Sequence, residues 1–219
     1  MSRSTASLLF LLLIAGAPLA RPDDGPALSA DTGWQRLEEK DGVTIFSRSR
    51  VGAGYKEFKA TGLIDSPPAT VERVLEDVQD YVDFMPYVSE VRILSQDGPD
   101  MVAYQRLNVP FVANRDYTVR VEHGTARNAS GVLFYRDTWQ TANEAGPPEQ
   151  RGTVRVKVNE GSWILETGTD ANSTQASYQI FTDSGGVIPA FLANRASQLI
   201  IPKLFEAIRK QAHDPKYQH

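Results

Sequence analysis

The segment 185–209 constrains the fold most, because it is long and amphipathic and follows a chain of mostly extended character. Its apolar residues recur at close to helical spacing, at Ile188, Phe191, Leu192, Leu199, Ile200, Leu204 and Ile208. The spacing predicts one long helix with Pro189 in its first turn, where a proline is well tolerated. Pro202 lies well inside this helix and removes a backbone hydrogen bond, so we expect a kink near residues 198–201.

Most of the sequence before this helix predicts β-strand. Short runs of apolar and β-branched residues alternate with turns rich in Gly, Pro and Asp. Consecutive strands joined by short turns are typical of an antiparallel meander. The predicted strands are 43–50, 55–64, 88–96, 101–108, 116–123, 132–140, 153–159, 162–168 and 174–181, with a turn at Glu160 and Gly161 between two of them.

Three short segments predict helices instead. In the first, Trp34 and Leu37 share one helical face behind Asp31, which is placed to cap the helix. In the second, apolar residues recur at i, i+3, i+4 and i+7. We expect the second and third helices to close one end of the sheet. The three predicted helices are 31–40, 70–78 and 81–85.

The order of these elements predicts an α+β fold. A sheet this long curls, and its concave face must be filled. The terminal helix is the one predicted element large enough to fill that face. A helix held by a curved sheet leaves a cavity that suits apolar ligands. The helix is therefore interpreted either as a cover for the core or as a lid over a ligand cavity.

The N-terminus has the pattern of a secretory signal peptide. Arg3 precedes an apolar run at 8–15, and small residues follow as far as Ala20. The run is shorter than the roughly 20 residues of a membrane span, although an uncleaved anchor remains an alternative. The predicted location is periplasmic or secreted. The predicted organisation is a signal peptide at 1–20, a linker at 21–30, one domain at 31–213 and a tail at 214–219.

Composition argues against several functional classes. The net charge is −4, and the sequence contains no block of basic residues of the kind that nucleic-acid binding requires. There is no cysteine, which excludes disulfides, thiolate metal sites and a cysteine nucleophile. The three histidines, His123, His213 and His219, lie at a predicted strand end or in the tail, so no plausible general base is evident. We therefore expect no catalytic constellation, no metal and no cofactor.

Several motifs resemble the START (StAR-related lipid-transfer) domain family in its bacterial form. The resemblance extends from about Trp34 to Gln211 and implies the helix-grip fold, a long curved antiparallel sheet wrapped around a C-terminal helix. It also implies that a lipid or sterol-like molecule is bound inside. The motifs are Asp41-Gly42-Val43, Tyr81-Val82-Asp83-Phe84-Met85-Pro86, Val109-Pro110 with Asn114-Arg115-Asp116-Tyr117, and Gly185-Gly186-Val187-Ile188-Pro189 with Asn194-Arg195.

The resemblance also implies an arginine in the cavity, at the position of Arg120. In mammalian steroid-transfer members an acid faces that arginine, but here the matching position is Arg106. Two guanidinium groups in one cavity need a compensating carboxylate, such as Asp116, Glu122 or Glu166, or an anionic ligand. We therefore hypothesise that the ligand carries a phosphate or carboxylate. Alternatively, both arginines lie on the surface.

Aromatic residues on the predicted strands and residues of the terminal helix complete the candidate cavity, although most of the aromatic residues could instead be core. Which face of each strand lines the cavity is not determined by sequence, because one bulge inverts every later side chain. The candidate ligand-binding residues are Tyr104, Arg106, Asp116, Arg120, Tyr135, Trp163, Tyr178, Phe191, Leu192, Arg195 and Leu199.

The predicted function is that of a lipid-binding carrier or transfer protein, a monomer that makes transient membrane contact and does not bind nucleic acid. A helix-grip enzyme of the polyketide cyclase or aromatase type is the first alternative, since such enzymes shape a substrate in a pocket with few catalytic groups. A non-catalytic assembly adaptor is the second alternative. A retained lipid would favour the carrier, and a filled core would favour the adaptor.

Overall fold

The computed structural model describes residues 33–110, 112–186 and 189–218. The predicted signal peptide at 1–20 and linker at 21–30 lie outside the described residues. Within the described part of the chain, no helix combines the length and the hydropathy needed to cross a bilayer.

One large sheet and one long helix dominate the described fold. The helices are α1 (Pro68–Glu76), α2 (Tyr81–Phe84) and α3 (Ala190–Gln211). The strands are β1 (Gln35–Lys40), β2 (Val43–Ser49), β3 (Lys56–Ile64), β4 (Val88–Asp97), β5 (Asp100–Leu107), β6 (Asn114–Arg127), β7 (Leu133–Thr141), β8 (Thr153–Arg155), β9 (Val158–Thr167) and β10 (Thr174–Asp183). Single 3-10 turns lie at Val78–Asp80, Asn143–Ala145 and Pro215–Tyr217.

The strand order is β1-β2-β3-β10-β9-β7-β6-β5-β4. All neighbours along this path are antiparallel, and β8 adds a short parallel pairing with β6. Strands β4 to β7, β9 and β10 follow one another across the sheet, and β10 then pairs with β3. The α+β helix-grip fold is therefore confirmed, with helices at the predicted positions of α1, α2 and α3.

The predicted first helix is wrong, because residues Gln35–Lys40 form an edge strand. Lys40 pairs with Val43, and Gln35 pairs with Ser47 across a register shift. The side chain of Trp34, assigned to a helical face, instead stacks beneath the guanidinium of Arg48. Pairing with β2 satisfies the backbone of this segment and overrides its helical periodicity.

The predicted turn at Glu160 and Gly161 is also wrong, because both residues lie inside β9. Gly161 pairs with Ile180 of β10. Its missing side chain is what the strand requires here, since a Cβ would collide with the ring of Trp139 and the backbone of Gln179. The predicted strand at 153–159 is correspondingly divided between β8 and the start of β9.

Helix α3 begins later than its periodicity indicates. Gly185 and Gly186 have positive φ values of 65° and 68° and form the turn before the helix, with Pro189 at the N-cap. The helix continues through Pro202 to Gln211 without interruption of its assignment. The kink expected near residues 198–201 stays a prediction.

The core lies between the sheet and the second half of α3. The fully buried side chains of Phe205 and Ile208 pack there against strands β2 and β3. Gly62 of β3 is needed at this contact, because a Cβ would lie 3.1 Å from the ring of Phe205. This packing fixes the helix at one side of the sheet and leaves its first half over the rest of the concave face.

Candidate ligand-binding cavity

A cavity of about 730 Å³ lies between the concave face of the sheet and the first half of α3. This volume is within the range of pockets that enclose small molecules. Most of its wall comes from strands β3, β5, β6, β7, β9 and β10 and from α1 and α3, and α2, β4 and the connecting segments contribute further residues. Most of the lining side chains are aliphatic or aromatic, so the cavity suits a hydrophobic ligand.

The alternation of side chains along each strand decides which residues line the cavity. On β6, the odd-numbered residues from Arg115 to His123 face inward. On β5, Gln105 and Leu107 face inward and the even-numbered residues face the other side of the sheet. The register of β5 with β6 has no bulge, so this parity holds along the whole pairing.

Three aromatic side chains form the middle of the cavity wall. The rings of Trp139 and Tyr178 stack with centroids 5.8 Å apart, and those of Trp163 and Tyr178 lie 4.7 Å apart. Trp139 Nε1 donates a hydrogen bond to Asn159 Oδ1 at 3.0 Å. Burial raises the pKa of Tyr178, and burial also raises the pKa of Tyr117 to about 12. Both phenols therefore stay neutral, and this part of the wall is uncharged at physiological pH.

One end of the cavity, here named the arginine end, contains Arg115, Ser184, Val112 and Leu192. Arg115 is only 6% exposed, and its guanidinium donates to the carbonyl oxygen of Ala113. Burial lowers the pKa of Arg115, and no carboxylate among the described residues pairs with it. The buried hydroxyl of Ser184 has no hydrogen-bond partner among the described residues. The arginine end therefore offers donors and a positive charge.

The opposite end, here named the histidine end, contains Glu72 of α1, His123 of β6 and Asp137 of β7. His123 Nδ1 lies 2.8 Å from Asp137 Oδ1 and 3.7 Å from Glu72 Oε1. The side chains are 3% exposed for His123, 7% for Glu72 and 4% for Asp137. His123 and Asp137 border the cavity. A buried imidazole thus lies between two carboxylates at the end of an apolar chamber.

The protonation of the histidine end follows from this arrangement. Burial raises the pKa of Glu72 to about 7, although the hydrogen bond from His123 opposes the rise. Burial alone would lower the pKa of His123, but its hydrogen bonds to Asp137 and Glu72 outweigh burial and raise that pKa to about 10. The imidazole is therefore positively charged at neutral pH and compensates the charge of the carboxylates around it.

Each member of the histidine end also has a polar atom without a partner. Among the described residues, Glu72 Oε2, His123 Nε2 and Asp137 Oδ2 are buried and make no hydrogen bond. The three side chains also have the donor types of a metal site, with one ligand atom from each lying within 4.8 Å of the others. The expectation of no metal stays a prediction.

Sequence reasoning missed this cluster. It placed His123 at a strand end, and that interpretation is wrong, because β6 extends to Arg127 and places the ring against Asp137. Two signals were available. Glu72 is an acidic residue beside the apolar face of α1, and His123 shares its parity on β6 with Arg115. Neither signal alone identifies a partner on another element.

The structure brings three of the predicted binding residues to the cavity wall, namely Trp163, Tyr178 and Leu192. Their role in binding stays a prediction. Tyr135 shares the inward face of β7 but packs against the core and not the cavity. The remaining predicted residues lie on other faces of the sheet or helix.

The four predicted residues on β5 and β6 lie outside the cavity because of strand parity. Tyr104 donates a hydrogen bond to Asp116 Oδ2 at 3.2 Å, and Asp116 Oδ1 pairs with Arg155 at 2.7 Å. Arg106 lies 3.5 Å from Glu90, and Arg120 is exposed opposite Gln140. The expectation of two arginines facing the cavity is therefore corrected, since Arg115 is the arginine that faces it.

The three other predicted residues on α3 form an exposed stripe. Phe191, Arg195 and Leu199 recur every four residues and face away from the cavity, whereas Leu192, Ala196 and Ile200 line it. Arg195 donates a hydrogen bond to Gln198 at 3.0 Å. The helical period was predicted, but the face that turns inward was not.

Comparisons with known proteins agree with this geometry. Residues 64–209 match a family described as polyketide cyclase / dehydrase and lipid transport. The chain is 31% identical to an uncharacterized protein of Pseudomonas aeruginosa over 171 residues, which covers 78% of this chain and 81% of that protein. It is also 31% identical to the phosphatidylcholine transfer protein of Rattus norvegicus over 187 residues, covering 84% and 86% respectively.

A solved structure has the same fold. The STAR-related lipid transfer protein from Xanthomonas axonopodis superposes with a TM-score of 0.72 at 22% sequence identity. The match covers 83% of this chain and 99% of that fragment. The sheet, the terminal helix and the space between them therefore belong to a known architecture.

Proposed function

The chain belongs to the polyketide cyclase / dehydrase and lipid transport family and forms a START domain, and from this premise we propose that it is a carrier of a lipid or similar hydrophobic molecule. The observation that carries the proposal is the cavity of about 730 Å³ with an apolar and aromatic lining. Burying an acyl chain or ring system there removes apolar surface from water, at about 25 cal/mol per Å². The relationship to a rat phosphatidylcholine transfer protein supports the same function.

A cavity-filling substitution tests this proposal. Ala196 lines the cavity, whereas Leu199 of the same helix faces solvent. We expect Ala196→Trp to abolish binding of a fluorescent fatty acid, and Leu199→Trp to leave it within about twofold of the parent. Titration by fluorescence measures both. Equal binding by the parent and Ala196→Trp would contradict the proposed site.

An anionic group of the ligand is proposed to lie at the arginine end. A buried arginine without a carboxylate partner is costly, and a phosphate or carboxylate would offset that cost. We therefore propose that Arg115, and not Arg106 or Arg120, binds the anionic group of the ligand. We expect Arg115→Gln to weaken binding of a fatty acid more than binding of its neutral methyl ester, with the exposed Arg120→Gln as control. Equal losses for both ligands would contradict it.

A periplasmic or secreted location, after removal of a signal peptide, is part of the same proposal. It is supported by the charged, apolar and small-residue order of residues 1–20 and by the relative in a bacterium. Expression in a Gram-negative bacterium followed by osmotic shock tests it. The protein is expected in the shock fluid with its N-terminus after residue 15, and retention in the cytoplasm at full length would contradict it.

Transient contact with a membrane is proposed through the exposed apolar residues beside the arginine end. Val112, Phe191 and Leu192 are all exposed there. An apolar surface of this kind can enter the boundary of a bilayer and bring the cavity close to lipid. The protein is proposed to act as a monomer, which light scattering after size-exclusion chromatography measures directly.

Catalysis of the polyketide cyclase type is the second candidate, and one specific observation favours it. His123 and Asp137 form a buried pair that borders the cavity, as a general acid or base requires. If the protein is such an enzyme, incubation with a linear poly-β-ketone thioester yields a cyclised aromatic product that His123→Gln does not form. Recovery of unchanged substrate from the parent reaction argues for the carrier.

A further inference from the structure

The histidine end brings together three side chains from three elements, each with an atom that can bind a cation. One such atom from each of Glu72, His123 and Asp137 lies within 4.8 Å of the other two. His123 Nδ1 is 2.8 Å from Asp137 Oδ1 and 3.7 Å from Glu72 Oε1. Adjacent ligand atoms around a metal ion with bonds of about 2.1 Å lie roughly 3.0–3.4 Å apart. The two separations lie on either side of this range, so a metal ion beside Nδ1 reaches both carboxylates after small side-chain rotations.

The two carboxylates have oxygen atoms that the protein leaves without partners. Each carboxylate turns one oxygen toward His123, and the side chains are only 7% exposed for Glu72 and 4% for Asp137. In the part of the chain that the structure describes, the second oxygens, Glu72 Oε2 and Asp137 Oδ2, are buried and accept no hydrogen bond. Buried oxygen atoms are nearly always paired, and an unpaired one costs free energy. A metal ion satisfies such atoms, because a carboxylate can bind it through one oxygen or through both.

The balance of charge in the cluster also favours a divalent cation. With both carboxylates ionised, a charged imidazole supplies one positive charge against two negative ones. A divalent cation supplies two positive charges, and the imidazole that binds it is neutral. The sum over the cation, the imidazole and the two carboxylates is then zero, which suits a site removed from water.

The types of ligand atom indicate which class of metal the site prefers. Mg²⁺ and Ca²⁺ are bound mainly by oxygen atoms, whereas an imidazole nitrogen is a good ligand for Zn²⁺ and for other divalent transition metals. The chain has no cysteine, so metals that require thiolates are disfavoured. One imidazole with two carboxylates therefore suits Zn²⁺ or a similar transition-metal ion.

The cluster has a route to solvent through the cavity. His123 and Asp137 border the cavity, and Glu72 approaches them from α1. Three protein ligands do not complete the coordination of Zn²⁺, which takes at least four ligands and in catalytic sites keeps one position open. An ion held by the cluster is therefore reached from the cavity, and its open position faces that space.

We propose that Glu72, His123 and Asp137 bind a divalent transition-metal cation at the end of the cavity, through Nδ1 of the imidazole and the two carboxylates. The metal takes the place of the proton on Nδ1, which is released to solvent. His123 Nε2 is directed away from the carboxylates and is not a ligand. The proposal goes beyond the carrier function and does not require it. It departs from the expectation of no metal, which rested on the lack of cysteine and on the positions predicted for the histidines.

The experiment is a zinc titration of untagged protein that has been stripped with EDTA and transferred to buffer without chelator. Competition with a chromophoric zinc chelator gives the stoichiometry and the dissociation constant. We expect the parent to bind one Zn²⁺ per chain. Asp137→Asn and His123→Gln are expected to weaken binding by at least about 100-fold, because each removes a ligand and loss of even a residue behind a ligand costs 10- to 100-fold.

Two matched variants control for zinc bound elsewhere on the chain. Glu122 is the exposed neighbour of His123 on β6, and His213 is exposed after the end of α3. Glu122→Gln and His213→Gln are expected to bind Zn²⁺ as the parent does. Zinc binding that is lost in His213→Gln and kept in Asp137→Asn would place the ion on the surface and overturn the proposal.

Cobalt gives a readout that reports the ligands directly. Co²⁺ in a site with few protein ligands absorbs visible light much more strongly than Co²⁺ in water. The parent loaded with Co²⁺ is expected to show this absorption, and Glu72→Gln is expected to change its shape or remove it. A spectrum of Glu72→Gln identical to that of the parent would contradict the assignment of Glu72 as a ligand.

The outcomes separate the metal site from the carrier function. A parent that binds Zn²⁺ no more tightly than Asp137→Asn would overturn the metal site, and binding of a fluorescent fatty acid would be unaffected by that result. A parent that binds Zn²⁺ but no fatty acid would support the metal site and contradict the carrier function. Asp137→Asn is nearly isosteric, so it decides the question if His123→Gln does not fold, as judged by circular dichroism.

Discussion

The two halves of helix α3 differ in what they contact. The second half is core, where Phe205 is 0% exposed and Arg209 donates to the carbonyl oxygens of Leu63 and Asp41 at 2.9 and 2.6 Å. The first half covers the cavity and leaves Phe191 69% exposed. Pro202 lies close to the boundary between them. One continuous helix thus combines an anchored segment with a cover.

The difference arises from the sheet beneath the helix. Under the second half, Gly62 and the small residues of β3 allow close packing. Under the first half, the cavity lies between the helix and the sheet. The hydrogen bond from the Lys56 amide to Asn194 Oδ1, at 3.0 Å, ties that half to β3. Stability and ligand access are therefore expected to respond to substitutions in different halves.

Truncating one phenylalanine in each half is the strongest test of this comparison. Phe205→Ala removes a fully buried ring, and we expect it to lower the free energy of unfolding by about 3–5 kcal/mol. Phe191→Ala removes an exposed ring and is expected to change that free energy by less than about 0.5 kcal/mol. Urea unfolding followed by circular dichroism measures both, and similar losses would contradict the division.

A second prediction concerns pH, since Glu72 lies on α1, which packs against α3. Folding raises the pKa of Glu72 from 4.5 to about 7 and that of His123 from 6.5 to about 10. Both groups hold protons more tightly in the folded state, so their stabilisation is complete below the ordinary values and is lost as pH rises through the folded ones. We expect the free energy of unfolding to fall between pH 7 and pH 10.

His123→Gln is the control for this pH dependence. Its free energy of unfolding is expected to change less over the same pH range, because glutamine does not titrate. Urea titrations at pH 7, 8.5 and 10 make the comparison. A parent whose stability is constant or rises with pH would show that the cluster does not hold the proton.

Membrane contact gives the third prediction. Phe191→Ser removes an exposed apolar ring beside the cavity, and we expect about tenfold weaker sedimentation with phospholipid vesicles, since burying such a ring contributes about 1.5–3 kcal/mol. Ile93→Ser on β4 removes an exposed side chain that does not line the cavity and is expected to have little effect. Equal effects of the two substitutions would contradict the proposal that the first half of α3 contacts the membrane.

The smallest expected effect is that of Pro202→Ala. It restores a backbone hydrogen bond at the boundary between the halves, which stiffens the helix. We expect slower exchange of a bound fluorescent fatty acid, measured by stopped-flow mixing with vesicles, and no loss of stability. Unchanged exchange rates would indicate that the proline is only structural.

Much of the fold could be predicted from the sequence, because α3 and most strands have the period of the element they form. The exceptions depended on contacts between elements. Residues Gln35–Lys40 became a strand because β2 was available to pair with them. Gly161 stayed inside β9 because the ring of Trp139 needs the space of a side chain. The periodicity of residues within one segment indicates neither the pairing of β1 with β2 nor the contact of Gly161 with Trp139.

Much less of the site could be predicted. Arg120 was predicted to face the cavity, but Arg115 faces it. The two residues lie on opposite faces of β6, and the sequence of a strand does not show which of its faces lies on the concave side of the sheet. The histidine end unites side chains from α1, β6 and β7 that are far apart in sequence. Residue types indicated a hydrophobic cavity, but the polar residues at its two ends could be located only from the pairing of the strands.

The most direct test of the carrier function is native mass spectrometry of the protein purified under nondenaturing conditions from the bacterium that expresses it. The parent is expected to retain one hydrophobic molecule, released by organic solvent and identified by tandem mass spectrometry, whereas Ala196→Trp is expected to retain none. A folded parent that retains no such molecule and takes up no added lipid would contradict the central claim that the cavity under α3 is a ligand site.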